Sequence, residues 1–422
     1  MFTRKISRRD MLRNSSAVLG AAAAGAVLPA WMPRLAFAPV NSAPRGDVLV
    51  SVFLRGGADT LNVVVPYAED AYYAARPKLA IPRPDANGEG NALDLDGFFG
   101  LHPAMKSLLP IFQSGEMAAV HATGSPDETR SHFEAMDFME RGTPGEHGLN
   151  TGWIGRHLST LDTGNSSPVR AIGWGTAVQT ALRGSLSPVA IQSIVDYHLG
   201  GDSQAAARMM NSLDSLYSLE DQRLYESAQA IQSAIQVVAS VSYQNYQPHN
   251  AATYPETDFA MALRQTAALI RADVGLEAAC IDLGGWDTHV DQGGADGRQA
   301  QLLTELAEGL AAFHADMGTD MSHVSVVVMS EFGRRIKENA GEGTDHGHGG
   351  AMLLMSGHLA PSPVFAKWPG MTPDALDRGE DLAITTDYRD VLAELLSTRL
   401  NNPAVSDIFP NFRPTPAGIF RT

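Results

Sequence analysis

Short apolar runs recur along the chain, with amphipathic segments between them. The runs that contain few polar residues are 47–54, 116–122, 169–173, 276–283 and 323–329. Continuous apolar runs of this length are typical of strands that are buried on both faces, as in a parallel sheet. The pattern therefore predicts five strands of this kind. A further apolar strand is predicted at the C-terminal end of the stretch 324–355, after a Gly-rich loop.

The segments between these runs place apolar residues at helical spacing. Helices are predicted over 102–114, 152–161, 258–271 and 299–317, from near Ser131, and from the N-cap Thr386 through Arg399. The alternation of strand and helix predicts an α/β fold: a doubly wound, mostly parallel sheet with helices on both faces. The helical stretch 202–240 carries no catalytic-looking cluster and is interpreted as an insert, about 200–255, in one domain over 39–422.

The N-terminus has the pattern of an export signal. The motif SRRDML at 7–12 precedes an Ala-rich apolar run over 17–28, and Ala-Phe-Ala at 36–38 is a small-x-small cleavage signal. The apolar run is too short to span a bilayer, so no stable membrane anchor is predicted. Residues 1–38 resemble a twin-arginine (Tat) signal, which predicts export by the Tat machinery to the periplasm or the medium. The cleavage site stays open because Pro39 would hinder the usual signal peptidase.

Composition excludes several classes of function. The 422-residue chain has a formal net charge of -16 and lacks a local basic stripe, so nucleic-acid binding is not expected. The single cysteine, Cys280, excludes intramolecular disulfides and thiolate metal clusters. An acidic protein can still bind a small anionic ester, since a bound cation dominates the field of its own pocket.

Acidic residues and histidines collect near the ends of predicted strands. The candidate metal ligands are Asp59, Asp287, His289, Glu331, Asp345, His346 and His348. Open α/β sheets bind their ligands at the carboxyl ends of the strands, so these residues predict a metal site at one sheet edge. Carboxylate and imidazole ligands suit zinc or manganese, and a carboxylate-rich pair of sites could hold calcium or magnesium. We expect one or two divalent ions, with zinc as the first choice.

Spacing supports some of these ligands more than others. Asp287 and His289 are two residues apart, and in an extended segment such side chains point the same way, so both can reach one cation. The same holds for the two histidines of the DHGH motif. Glu331 has an alternative interpretation, an ion pair with Arg334 or Arg335. Any one of the histidines alone would more often be a structural residue.

A hydrolytic site also needs a nucleophile. Ser131 is the candidate because it lies at a predicted helix N-terminus, where backbone N-H groups favour an oxyanion or phosphate. Ser131 to Glu134 also has the S-x-x-E form of a capping box, which would explain the serine without catalysis. A metal-bound water is a further alternative. Arg130 and Arg55 could hold an anionic group, or could be solvated surface charges.

Seven motifs together resemble one family. They are SRRDML, FLRGGADTLNVVVPY, RSHFEAMDFME, GGWDTH, SEFGRR, TDHGHGG and TTDYRD. They are similar to the domain-of-unknown-function family numbered 1501, Tat-exported bacterial proteins of the alkaline phosphatase and sulfatase superfamily. The resemblance covers nearly the whole chain. It implies an alkaline phosphatase-like doubly wound fold, two adjacent metal ions, a Ser or Thr nucleophile, and hydrolysis or transfer at phosphate or sulfate esters.

The resemblance also assigns roles to individual residues. Asp59 matches the superfamily's acidic residue after the first strand, and Ser131 lies near its nucleophile. Asp287 and His289 resemble an Asp-x-x-x-His ligand pair with tighter spacing. Ser330 to Gly333 resembles a Ser-Asp-His-Gly segment with Phe332 in place of a histidine ligand. His346 or His348 replaces that ligand or matches the superfamily's last histidine.

These observations lead to one leading function and two alternatives. The leading hypothesis is an exported metal-dependent hydrolase of phosphate or sulfate esters. The Phe332 substitution motivates an alternative from another class, an exported binding or assembly protein that keeps the fold and a metal without catalysis. A phosphomutase-like transferase, with a covalent phosphoryl group on Ser131, is a third interpretation.

Overall fold

The structure, a computed structural model, describes residues 46–185, 188–194, 197, 203–219, 222–241 and 243–421. The predicted export signal at 1–38, and Pro39 after it, lie outside these ranges. No helix within the described ranges is both long enough and apolar enough to cross a membrane.

Nine of the strands in the described part of the chain form a central sheet. The strands are β1 (Val48–Leu54), β2 (Val64–Val65), β3 (Leu93–Asp94), β4 (Gly100–Leu101), β5 (Met117–Gly124), β6 (Ala171–Trp174), β7 (Val189–Ile191), β8 (Ala278–Leu283), β9 (Val324–Ser330), β10 (Arg334–Glu338), β11 (Thr344–His346), β12 (Gly350–Ser356), β13 (Val364–Phe365) and β14 (Thr386–Asp387). The order in the sheet is β13-β5-β12-β9-β1-β8-β6-β7, and β14 also pairs with β5. Only β12 runs antiparallel to its neighbours, which confirms the predicted mostly parallel sheet.

Helices cover both faces of this sheet. The α-helices are α1 (Thr60–Val63), α2 (Asp70–Ala75), α3 (Leu109–Gln113), α4 (His132–Arg141), α5 (Trp153–Thr160), α6 (Ser203–Tyr217), α7 (Gln222–Ser240), α8 (Asp258–Arg271), α9 (Arg298–Met317), α10 (Tyr388–Glu394) and α11 (Val405–Ile408). Apolar residues of α8 and α9 pack on one face, and those of α5 and α10 pack on the other. The α/β class is therefore confirmed.

The central strand β1 explains why the apolar runs read as continuous. All seven of its residues are buried, with Val50 and Val52 facing the α8 and α9 side and Leu49 and Phe53 facing the opposite side. Successive side chains of a strand point to opposite faces, so a strand covered on both sides needs apolar residues at every position. Each such side chain contributes about 1.5–3 kcal/mol by its burial.

The predicted helix over 102–114 is wrong as one continuous element. A 3₁₀ turn, Pro103–Leu108, comes first, and the short helix α3 follows it. Met105, inside the 3₁₀ element, has non-helical dihedral angles. Pro110 explains the break, because it lacks the N-H that a continuous α-helix over 102–114 would need at this position.

The predicted N-cap of the last helix is also wrong by one residue. Thr386 belongs to β14, and Asp387 is the cap of α10. The Asp387 side chain accepts a hydrogen bond from the backbone N-H of Arg389 at 2.9 Å. Aspartate is as good a cap as threonine, and strand pairing with β5 occupies the threonine.

The predicted helical insert contains the two helices α6 and α7. They follow β7 and precede α8, whose N-cap Thr257 accepts a hydrogen bond from Ala260 N-H at 3.3 Å. The assignment of 200–255 as an insert in a single domain stays a prediction.

Strand direction brings the ends of five strands to one edge of the sheet. β5 and β9 are both antiparallel to β12, and β1 and β8 are parallel to β9. The carboxyl ends of β1, β5, β8 and β9 therefore lie at the same edge as the amino end of β12. This is the edge at which open α/β sheets bind ligands.

Candidate metal centre

Three of these strand ends adjoin the residues that converge at this edge. His132 is the first residue of α4, which follows β5. Asp287 and His289 lie in the loop after β8, and His346 ends β11, just before β12. We call His132, Asp287, His289 and His346 the histidine cluster.

Ligand atoms of the cluster point at one another. Asp287 Oδ1 lies 3.1 Å from His289 Nε2, 3.3 Å from His346 Nε2 and 3.5 Å from His132 Nε2. His289 Nε2 and His346 Nε2 are 2.9 Å apart. Within the described ranges, His132, Asp287 and His346 form the one group whose ligand atoms all lie within 4.8 Å of one another. Three imidazole nitrogens therefore meet around a single carboxylate oxygen.

This arrangement fits a divalent cation. His132 Nε2 is buried and has no hydrogen-bond partner among the described residues. A buried polar atom that lacks a partner costs about 1–3 kcal/mol, so the atom calls for a ligand. His132, Asp287 and His346 offer two histidine nitrogens and one carboxylate oxygen, a three-residue donor set of the kind that zinc accepts with its fourth position open. The residues present therefore fit the predicted metal.

Glu331 orients His132 from behind. Glu331 Oε1 lies 2.8 Å from His132 Nδ1 and also accepts the Gly56 N-H at 2.9 Å, while Oε2 lies 3.0 Å from Ser330 Oγ. The hydrogen bond to this buried carboxylate raises the pKa of His132, against the lowering effect of burial. Carboxylates commonly hold ligand histidines in this way. Glu331, predicted as a direct ligand, thus binds the cluster residue His132, and its oxygens are not among the atoms that converge on Asp287.

The other two histidines are oriented in a similar manner. His346 Nδ1 lies 2.9 Å from the Arg130 carbonyl oxygen, and burial lowers the pKa of His346. His289 Nδ1 lies 3.3 Å from Asp345 Oδ1. Asn339 donates to that oxygen at 2.9 Å, and this bond and His289 lower the pKa of Asp345. Asp345, like Glu331, therefore lies behind a histidine.

Asp287 stays ionised at the open side of the cluster. Partial burial would raise its pKa, but the hydrogen bond and charge of Arg334 outweigh this and lower the pKa of Asp287 to about 2. Arg334 Nη2 donates to Asp287 Oδ1 at 2.7 Å. The Arg334 side chain is fully buried, whereas the Asp287 side chain is 48% exposed. The buried Arg334 guanidinium thus holds the Asp287 carboxylate from the protein interior.

Arg334 reaches this position through a hairpin that the sequence pattern did not indicate. β10 and β11 pair antiparallel, with Arg334 opposite His346. The interpretation of this segment as a Gly-rich loop missed the pair, because each strand is short and polar. The hairpin holds His346 beside the guanidinium that binds Asp287.

Asp59 has a different environment. Its two carboxylate oxygens accept from the Arg76 guanidinium at 2.6 and 2.9 Å, and Gln292 Nε2 donates to Oδ2 at 2.7 Å. Asp59 is 1% exposed and Arg76 is 0% exposed. A bidentate arginine and an amide thus occupy the oxygens that were predicted to bind metal.

His348 also has other partners. Its Nδ1 lies 2.8 Å from Asp377 Oδ2, and its Nε2 lies 3.0 and 3.1 Å from the carbonyl oxygens of Ser125 and Asp127. Both ring nitrogens are therefore engaged, and the DHGH motif contributes one converging histidine, not two. Gly347 and Gly349, on either side of His348, pack closely against other backbone segments. A Cβ at either position would lie 2.4–2.5 Å from backbone atoms.

The two candidate anion-binding arginines pair with carboxylates. Arg55 lies between Glu140 and Asp282, with nitrogen to oxygen distances of 2.9 and 2.8 Å. Arg130 donates to the buried Asp381. Their charges are therefore balanced within the protein.

Ser131 occupies the N-cap position of α4 without capping it by its side chain. In the described structure its side chain makes no cap hydrogen bond, and the side chain of Glu134 accepts from Thr129 Oγ1 at 2.8 Å. The S-x-x-E capping box is therefore not formed. Ser131 is exposed and directly precedes the cluster residue His132.

His132 is the cluster residue that the sequence interpretation missed. The S-x-x-E pattern of Ser131 to Glu134 indicates a capping box, which accounts for this segment without a ligand role for its histidine. A signal was present, because His132 follows a predicted strand at the same sheet edge as the other candidates. Phe332, where a histidine ligand was expected, packs its ring 5.0 Å from the ring of His132 and 4.8 Å from that of His346.

Fold and cluster together define an α/β protein with a candidate metal centre at the carboxyl edge of a mostly parallel sheet. The family follows from the sequence as a whole, since one family model matches residues 47–398. The chain belongs to the family described as protein of unknown function (DUF1501), as the motifs predicted.

Two solved structures are similar to this chain at low identity. The crystal structure of Ps i-CgsB in complex with k-i-k-neocarrahexaose has 11% identity and a TM-score of 0.37, covering 85% of this chain and 72% of that one. The structure of a 2-O GAG sulfatase has 9% identity and a TM-score of 0.26, covering 76% and 66%. Similarity at this level transfers no function. No curated protein matches the sequence.

Proposed function

We propose that this chain is an exported metal-dependent hydrolase of phosphate or sulfate esters. The observation that carries the proposal is the convergence of three imidazole nitrogens on Asp287 Oδ1, with His132 Nε2 buried and unpartnered among the described residues. Export rests on the Tat-like segment 1–38 and places the enzyme in the periplasm or the medium.

The openness of the cluster favours catalysis over a structural metal. The side chains of Asp287 and His289 are partly exposed, whereas Glu331 and Arg334 behind them are buried. Structural zinc sites are closed, and catalytic sites keep one position open. A bound divalent cation would polarise an ester oxygen and lower the pKa of a water molecule. Arg334 and Glu331 would keep Asp287 and His132 in place during the reaction.

One ion per chain fits the described residues best. A second ion would need ligands of the Asp59 or His348 type, and these side chains are bound by Arg76 and Asp377. The donor set of the cluster favours zinc over calcium or magnesium, which prefer oxygen ligands.

Ser131 is the proposed nucleophile. Its hydroxyl is exposed, is not used as a cap, and lies at the N-terminus of the ten-residue helix α4, next to His132. A helix N-terminus favours the negative charge that develops during attack. Ser131→Ala should therefore lower kcat by roughly a thousandfold or more while metal content stays unchanged. Retention of kcat in this variant would assign the nucleophile to a water molecule instead.

A non-catalytic binding protein with one metal is the second candidate. Two observations favour it: Phe332 packs where the superfamily has a histidine, and Arg55 and Arg130 are both neutralised by carboxylates. Neither guanidinium is then available to hold an ester anion.

One experiment separates the two candidates. Metal content of the purified protein is measured together with turnover of aryl phosphates, phosphodiesters and aryl sulfates, with Asp287→Ala as the matched variant. The hydrolase should contain metal and turn over at least one ester class, and Asp287→Ala should lose both. Metal without turnover of any ester would favour the binding protein, and an absence of metal would contradict both.

A further inference from the structure

A buried carboxylate outside the histidine cluster binds Arg130. The Asp381 side chain is 0% exposed, and its Oδ2 accepts from the Arg130 guanidinium. Oδ1 is buried and has no hydrogen-bond partner in the described part of the chain. Burying a carboxylate is unfavourable unless a partner compensates it, so this pair differs from the solvated ion pairs of a protein surface. Arg130 is thus attached to a group inside the protein.

Backbone pairing fixes the position of Asp381. Its N-H donates to the Asp377 carbonyl oxygen at 3.1 Å, and the Asp377 N-H donates to the Asp381 carbonyl oxygen at 2.9 Å. Residues 377–381, which we call the 377–381 turn, also contact β10, because the Ile336 N-H donates to the Glu380 carbonyl oxygen at 3.1 Å. The turn therefore holds the Asp381 carboxylate in a defined place relative to the hairpin of β10 and β11.

Arg130 connects this carboxylate to a cluster residue. Its carbonyl oxygen lies 2.9 Å from His346 Nδ1. A carbonyl oxygen only accepts, so this contact requires the proton of the neutral ring on Nδ1 and leaves the lone pair of Nε2 free for a cation. His346 Nε2 is the atom that lies 3.3 Å from Asp287 Oδ1. Arg130 therefore binds Asp381 with its side chain and orients His346 with its backbone.

Asp381 is the partner that restrains the Arg130 side chain. That side chain is 28% exposed, and Asp381 is its one hydrogen-bond acceptor within the described ranges. Without the carboxylate the guanidinium is free to turn into solvent, and the backbone at Arg130 loses a restraint. We infer that Asp381 is a positioning residue for the metal ligand His346 and acts through Arg130. The inference rests on the proposed function, because it takes the histidine cluster as the metal centre.

The same turn contains a matched control residue. Asp377 Oδ2 lies 2.8 Å from His348 Nδ1. The Asp377 side chain thus binds the histidine of the DHGH motif whose nitrogens do not converge on Asp287. Removal of the Asp377 side chain should loosen the 377–381 turn without removing the partner of Arg130. The comparison of Asp377 with Asp381 therefore separates a general effect of the turn from an effect on Arg130.

The test compares zinc affinity among the wild type, Asp381→Ala, Arg130→Met, the double variant and Asp377→Ala. Competition with a chelating dye gives the affinity, and denaturant titration of the metal-free proteins shows that each is folded. NMR spectra of metal-free protein with isotope-labelled histidines report which ring nitrogen of His346 carries the proton. The His346 signal is assigned by its absence from His346→Ala.

Asp381→Ala and Arg130→Met should each weaken zinc binding by about tenfold, at unchanged stoichiometry under saturating zinc. The double variant should also lose about tenfold, and not about a hundredfold, because both groups act through one contact. It leaves no unpaired charge inside the protein, so it remains a test if a single variant fails to fold. Asp377→Ala should stay within about twofold of the wild type.

The spectra of the metal-free proteins give a second prediction. The His346 proton should lie on Nδ1 in the wild type, and the two tautomers should mix in the double variant. An unchanged zinc affinity in the double variant would overturn the inference. Single losses that multiply in the double variant, or an equal loss in Asp377→Ala, would overturn it as well.

Failure of the proposed function is distinguishable from failure of this inference. If the wild type binds no zinc, the metal centre is contradicted and the His346 spectra decide the positioning role. A tautomer mixture in the double variant then supports that role, and an unchanged Nδ1 proton overturns it. Zinc binding that depends on Asp381, without turnover of any ester, would support the inference and contradict the proposed hydrolase.

Discussion

Two aspartates follow neighbouring parallel strands at the same sheet edge, yet they have opposite environments. Asp59 follows β1 and is buried, with both carboxylate oxygens bound by Arg76. Asp287 follows β8, is half exposed, and faces three imidazole nitrogens. Strand order places both residues at the ligand-binding edge. Only the second one retains an environment that can accept a cation.

The difference shows that the partner of a carboxylate decides its role. Asp59 is bound by a side chain that returns from α2, so its charge contributes to the fold. Asp287 also accepts from an arginine, but Arg334 donates to Oδ1 alone, and the Asp287 side chain stays 48% exposed. Buried pairs are costly to break from one side only, whereas half-exposed groups contribute little to stability. Substitutions around Asp59 should therefore affect mainly the stability of the fold, and substitutions around Asp287 should affect mainly metal binding.

The largest effect is expected from Asp59→Ala. The change leaves Arg76 buried without its carboxylate, which should lower the free energy of unfolding by about 3–5 kcal/mol. Denaturant titration of the metal-free protein measures it.

Asp287→Ala is the comparison variant, and its loss should be smaller, about 1–3 kcal/mol, because Asp287 is half exposed and the buried Arg334 keeps its carbonyl acceptors at Gly57 and Thr344. Asp59→Ala protein that remains folded should bind the normal amount of metal. A loss of metal without a loss of stability would place Asp59 among the ligands and remove the distinction.

A smaller effect is expected from Glu331→Gln. The amide keeps the shape of the side chain but removes the charge that orients His132 and raises its pKa. Loss of such a supporting carboxylate typically weakens metal binding by about 10–100-fold. Competition with a chelating dye would measure the affinity, and the stoichiometry at saturating metal should stay the same. Complete loss of metal at saturation would show instead that Glu331 is itself a ligand.

The smallest effect on metal is expected from His348→Ala. Its ring nitrogens contact Asp377 and two carbonyl oxygens, so its removal should leave metal affinity within about twofold while lowering thermal stability. His346→Ala is the matched variant in the same motif, and it should lose the metal. Equal losses in the two variants would contradict the division of the DHGH motif into a ligand and a structural histidine.

Part of this difference between Asp59 and Asp287 can be predicted from the sequence, and part of it cannot. Uninterrupted apolar runs in the sequence predicted β1, β5, β8 and β9, because a strand that is buried on both faces is apolar at nearly every position. That pattern also placed Asp287, His289 and His346 at one edge. The partner of Asp59 could not be predicted, since Arg76 caps the short helix α2, 17 residues further along the chain, and no motif links the two residues. Long-range pairing of this kind leaves no local signature.

The histidine cluster shows the same limit of local sequence patterns. His132 lay in a motif with a sufficient local explanation, the capping box, and the structure satisfies Glu134 through Thr129 instead. His346 and His348 precede β12 in one short motif, and the tertiary contacts of His348 with Asp377 and of His346 with Arg130 distinguish them. Local pattern identified the residue types for a metal site, and the selection among them depends on contacts distant in sequence.

The most direct test of the account is the metal content of the purified protein and of Asp287→Ala, measured by elemental analysis on samples that denaturant titration shows to be folded without metal. We predict about one divalent ion per chain, zinc when it is supplied, and a loss of at least about 90% in the variant. A wild-type protein without bound metal, or an Asp287→Ala protein that keeps a full equivalent, would contradict the assignment of the histidine cluster as the metal centre.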